Sequence, residues 1–181
     1  LDVATPLLAN LHTRFEDQKL WGWEKGDGPP LIRFGQEVRS HFLGHVALLD
    51  TSTFFWPWIW GPGYQVYGSD DRPNSDALSH ARSQGAIGGY VHPVGDSDPF
   101  APENAANPPV LLAVDGILGN MDWLELAVLW SDEIGASEMW YRFLNVGSPI
   151  LLSAGTDAMA NFYRTMPLGV SRLYVQTGGE T

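Results

Sequence analysis

The sequence contains no cysteine, which excludes disulfides, thiolate metal ligands and cysteine nucleophiles while leaving the compartment open. Basic residues are scarce: ten Lys and Arg stand against twenty-one Asp and Glu, for a formal charge of −11. That deficit argues against a nucleic-acid surface, where clustered cations attract phosphate. It argues equally against peripheral attachment to anionic lipid. No apolar run approaches the roughly 18 residues that a membrane span needs, so no stable membrane insertion is expected. The chain opens at Leu1 without a methionine, a basic leader or a cleavage motif. It therefore reads as a fragment or processed product of a soluble protein, with export left open if a signal peptide lies upstream.

What is present suffices for one domain with a substantial core: 181 residues, 44% of them hydrophobic. Eight Trp, six Tyr and eight Phe supply either a bulky core or an aromatic-lined pocket. Strand signals fall at 1–8, 31–38, 45–49, 86–91, 123–128, 150–154 and 172–177. Helical signals fall at 75–84, capped by Asn74 or Ser75 and stopped by Gly85, and at 137–146, capped by Ser137 and stopped by Gly147. A short helix or turn is expected over 110–119. Between them lie loops at 14–30, at 94–109 with its four prolines, and at 50–74, where FFWPWIWGPG breaks every period. The alternation of strand, loop and helix indicates an α/β arrangement rather than a sandwich.

Polar residues recur just beyond apolar strands, the ends that face the reaction cavity in α/β barrels. Glu37 and His45 lie in GQEVRSHFLGHVALL, where a carboxylate near one strand end and an imidazole at the start of the next can converge across a turn. An ordinary turn with surface polar groups is the alternative. His92 follows AIGGYV, and Pro93 restricts where it points; a structural histidine bonded to a carbonyl would look the same. Asp157 follows ILLSAGT, as a ligand or as the cap of a turn. Together Glu37, His45, His92 and Asp157 make an N/O ligand set suited to zinc, manganese or iron. Two such ions could hold a hydroxide and orient a phosphoryl or acyl group.

The chain resembles the PHP (polymerase and histidinol phosphatase) superfamily, most closely its carbaryl-hydrolase-like CehA/McbA branch. The resemblance is carried by GQEVRSHFLGHVALL, the aromatic GPG loop, GAIGGYVHP, MDWLELAV, WYRFLNVGSPILLSAGTDA and SRLYVQTGG, in family order across nearly the whole chain. It implies a single metallohydrolase domain over 1–181, an incomplete distorted (β/α)7 barrel lacking its N-terminal portion. In it Glu37 matches the metal-bridging carboxylate, His45 the GH histidine, His92 the HP ligand and Asp157 the GTD aspartate. Tyr141 and Arg142 match a WYR segment near the pocket, and Asn161 falls at a supporting position after GTD. The family's opening His-x-His pair has no counterpart here. His12 is single, His41 has no matching role, and His80 reads as a solvent-facing or capping group.

The resemblance thus implies divalent ions, two or more in the complete site, and a small-molecule substrate whose ester, carbamate or phosphoester bond is hydrolysed by metal-activated water. Asp157 would position that water or take its proton, and Arg142 would be an electrostatic partner. Trp56, Trp58 and Trp60 would form a pocket wall with Tyr141, or else a loop or subunit contact, so homo-oligomerisation stays open. A catalytically inactive metal- or ligand-binding domain, or a purely structural one, is the competing expectation.

Overall fold

The computed structural model describes residues 20–21, 32–33, 35–40, 42–60, 72–104, 111–129, 131–158, 167 and 169–176. In chain order these give β1 (Leu20–Trp21), β2 (Ile32–Arg33), β3 (Gln36–Ser40), β4 (Gly44–Leu49), β5 (Ile59–Trp60), α1 (Asn74–Arg82), β6 (Ile87–Tyr90), α2 (Leu112–Leu118), β7 (Trp123–Ala127), α3 (Glu133–Asn145) and β8 (Leu151–Ala154). β1 and β2 form a small antiparallel pair of their own. The other six strands make one open mixed sheet in the order β5-β3-β4-β6-β7-β8. β4 is antiparallel to both neighbours, whereas β3–β5, β6–β7 and β7–β8 are parallel. Five strands of this sheet therefore bring their C-terminal ends to one edge, and β4 brings its N-terminal end to the same edge.

Successive side chains of a strand alternate between faces, so each strand divides its residues between two environments. Val38, Val46, Leu48, Tyr90 and Leu124 point to one face and pack with Ala77, Leu78 and Ala81 of α1, Leu112 of α2, and Met139 and Phe143 of α3. Ala47, Val91 and Trp123 form a separate buried cluster. The register places them on the opposite face, with Ala47 opposite Gly89 and Gly89 opposite Trp123. Gly89 is needed there because a Cβ would collide with the Trp123 backbone and ring.

Several boundaries differ from the sequence reading. α3 begins a turn earlier than expected, because Asp132 rather than Ser137 caps it: Asp132 Oδ1 accepts from the Ile134 and Gly135 amides, both at 2.9 Å. Gly135 sits in that first turn because a Cβ would strike the Asp96 backbone. Ser137 Oγ instead donates to the Glu133 carbonyl one turn back. α1 starts after extended Pro73, with no side-chain cap. Residues 172–176 form no strand, although their alternation suggested one; they are exposed and no ladder pairs them. The strand expected at 1–8 lies outside the described residues, as do 14–19 and 22–30 of the loop expected at 14–30, whereas Leu20–Trp21 of that loop pair as β1. No helix among those described is long and apolar enough to cross a membrane.

Candidate metal centre

Glu37 and Arg39 are two residues apart on β3 and so share a face. The β3–β4 register sets His45 opposite Arg39 and diagonal to Glu37. His92 enters from the turn just beyond β6, held by a left-handed backbone of φ 32°. The three side chains meet at one carboxylate oxygen. Glu37 Oε1 lies 2.9 Å from His45 Nδ1 and 3.1 Å from His92 Nε2, and the two ring nitrogens are 3.3 Å apart. The imidazole planes are nearly perpendicular, at 85°. Arg39 Nε is 3.3 Å from the same oxygen but off the line of a hydrogen bond, so it contributes charge rather than a directed contact.

Burial acts on every group here. For Glu37 it is the largest influence and disfavours the charge, yet hydrogen bonds from His45 and His92, with the Arg39 charge, hold the carboxyl well below its usual range. Burial lowers the pKa of His45 and outweighs the attraction of Glu37, favouring a neutral ring. At His92 burial also opposes protonation, but the Glu37 hydrogen bond and the charges of Glu37, Asp157 and Glu125 prevail and raise it. Without a metal, these influences favour the charged carboxylate at Glu37, the neutral ring at His45 and the protonated ring at His92.

These residues can hold a metal ion: among those described they form a group of one carboxylate and two imidazoles with ligand atoms within 4.8 Å of one another. Ligand atoms bound at about 2.0–2.2 Å to one cation lie roughly 3.3–3.6 Å apart in a tetrahedral site and about 2.8–3.1 Å apart at octahedral right angles, and the observed 2.9, 3.1 and 3.3 Å fall within that overall span. The same face also carries two buried donors without a hydrogen-bond partner among the described residues, Arg39 Nε and Trp123 Nε1. Such orphans are uncommon in protein interiors and mark places where a polar ligand restores a bond.

Asp157 stands outside this three-residue group. It follows β8 in a left-handed conformation of φ 48° and is half-buried. Burial raises its pKa, with the positive His92 opposing and Glu37 reinforcing, so it is coupled electrostatically to the cluster. Left-handed backbone costs a non-glycine residue about 1–3 kcal/mol, and such residues concentrate at functional sites. Two residues went unnoticed in the sequence. Arg39 was legible as the period-two partner of Glu37. Glu125, buried at 6% exposure in β7, accepts the His92 amide at 2.7 Å; its setting in WLEL disguised it as a core-strand residue.

The remaining expected site residues are placed as follows. Arg142 lies on α3 with its guanidinium 4.2 Å over the Phe100 ring. Tyr141, also on α3, is exposed, its ring tilted against that of Trp140. Trp58 is buried in the core on the helical face, while Trp56 is 41% exposed and its carbonyl accepts from Arg72. Trp60 ends β5; its side chain, Asn161, His12 and His41 lie outside the described residues. His80 Nε2 bonds the Thr53 carbonyl at 3.0 Å and its ring contacts Phe55, so it anchors the aromatic loop. An open cleft of about 490 Å³ lies past β7, lined by Val128, Leu129, Asp132, Ile134, Thr156 and Val170 among others. None of Glu37, His45 and His92 lines it, although Thr156 adjoins Asp157. No family model, no curated protein and no solved structure matches the chain.

Proposed function

We propose that Glu37, His45 and His92 bind a divalent cation and that the chain is the larger part of a metal-dependent hydrolase domain of the PHP kind, an incomplete distorted (β/α)7 barrel. The observation that carries this reading is the convergence of His45 Nδ1 and His92 Nε2 on Glu37 Oε1, at 2.9 and 3.1 Å. Zinc, manganese or iron suits one carboxylate and two imidazoles. A bound cation supplies Lewis acidity and a lowered pKa for water at such a site. Glu37, kept ionised by its neighbours, orients the two imidazoles and offers the carboxylate that a second ion would share. In this reading Asp157, whose carboxyl is pushed up by burial, would accept a proton during turnover. Arg39 supplies the fixed positive charge, in place of Arg142, which is engaged with Phe100.

The substrate in this reading is a small molecule with an ester, carbamate or phosphoester bond. The test is hydrolysis by the protein carrying the upstream His-x-His pair that the resemblance calls for. Aryl ester, aryl carbamate and aryl phosphate are offered with Zn²⁺, Mn²⁺ or Fe²⁺. At least one is cleaved, EDTA stops the reaction, and Glu37→Ala lowers kcat/KM by about 100-fold or more, the order of a lost electrostatic stabiliser. Turnover indifferent to both EDTA and Glu37→Ala overturns the reading. Metal binding without turnover of any substrate favours a binding domain instead.

A further inference from the structure

Glu125 is a buried carboxylate that the proposed chemistry does not use. Its position is set by β7, whose alternation puts Trp123 and Glu125 on the face that carries the cluster. Its Oε2 accepts the backbone N–H of His92 at 2.7 Å, immediately beyond β6. Its Oε1 abuts Gly155, just beyond β8, so closely that a Cβ on Gly155 would collide with it. Gly155 is also tied to β7, its amide donating to the Ala127 carbonyl at 3.1 Å. One carboxylate therefore touches two turns whose backbones enter the left-handed region, the His92 turn at φ 32° and the turn leading to Asp157 at φ 48°. A buried charge is costly unless its oxygens are satisfied, and here one oxygen is spent on the backbone of a metal-ligand candidate.

We infer that Glu125 is a positioning residue: it fixes the His92 backbone, and through Gly155 the approach to Asp157, so that the imidazole is aimed before any ligand arrives. The glycine of the GTD segment is accordingly required for close approach to Glu125, rather than for a turn of its own. This role rests on the proposed metal reading for its consequence but not for its geometry.

The test uses Glu125→Ala, Glu125→Gln, Gly155→Ala and, as a destabilised control, Met139→Ala in the core under α3. In the metal-free protein the His92 amide of the wild type is expected to be shifted downfield in proton NMR and protected from exchange. Glu125→Ala and Gly155→Ala abolish the shift and speed its exchange about tenfold or more, whereas Glu125→Gln, which keeps an acceptor, restores both. Zn²⁺ or Mn²⁺ then binds about 10–100-fold more weakly to Glu125→Ala and to Gly155→Ala, with an altered Co²⁺ absorption spectrum, while Met139→Ala and Glu125→Gln stay near wild type. An unchanged His92 amide in Glu125→Ala, or equal losses in Met139→Ala, overturns the inference. A wild type that binds no metal yet loses the amide signature in Glu125→Ala sinks the metal reading and leaves the positioning role standing.

Discussion

At the scale of single residues the cluster is an arrangement of opposed tendencies, and pH separates them. His92 resists deprotonation, because its contacts with Glu37 and the carboxylates of Asp157 and Glu125 outweigh burial, so its pKa lies above 6.5. A cation must displace that proton. Metal affinity is therefore expected to fall about tenfold per pH unit below the raised pKa of His92, with proton release visible by calorimetry in buffers of different ionisation enthalpy. Affinity that holds constant from about pH 8 to about pH 6 would separate His92 from the ligand set. Glu37 gives a second pH-dependent signature in metal-free protein. Its folded pKa is below the ordinary 4.5, so its ionisation contributes stability fully present above 4.5 and lost as pH falls through the folded value. The Tm advantage of wild type over Glu37→Gln in EDTA should accordingly be largest near neutrality and shrink in acid.

At the scale of elements, local chemistry decides where helices begin and how closely strands pack. Removing the cap in Asp132→Ala should cost about 1 kcal/mol of stability, whereas Ser137→Ala, inside α3, should change it by less than about 0.5 kcal/mol; thermal denaturation distinguishes them. Gly89→Ala should cost about 1–3 kcal/mol, because the methyl must displace Trp123. Much of this layer was legible: the apolar runs ending at Leu49, Tyr90 and Ala154 are strands, and Glu37, His45 and His92 come together, although Glu37 lies within β3 rather than just beyond a strand end. Other features were hidden for physical reasons. Asp132 and Ser137 are both competent caps, and the earlier start goes with the tertiary contacts of the first turn, Asp132 N–H donating to Val94 and Gly135 closely approaching Asp96. β5 spans two residues inside the aromatic loop, held by the Gln36 amide, which pairs with both the amide and the carbonyl of Phe55, and by Arg39 N–H donating to Trp58. No periodicity announces a strand defined by such contacts. Glu125 escaped notice because alternation reports burial, not the partner a buried group finds.

At the scale of the whole molecule, the sheet sorts its chemistry by direction. Because β4 alone opposes its neighbours in the large sheet, the start of β4 and the ends of β6 and β8 reach one edge, and His45, His92 and Asp157 arrive there from separate parts of the chain. The helices cover the other face, leaving the cluster on the side that carries Trp123. An ion bound only by the folded arrangement stabilises it by mass action, about 2.7 kcal/mol at a hundredfold excess over Kd. For a chain of this size that corresponds to a Tm rise of roughly 5–10 °C. The most direct measurement is the number of Zn²⁺ or Mn²⁺ ions bound at equilibrium dialysis by wild type, Glu37→Ala, His45→Ala and His92→Ala, each first shown to be folded. The account predicts at least one ion per wild-type chain and loss of that ion in all three variants. A wild type that binds none, or variants that keep the same stoichiometry and affinity, would contradict it.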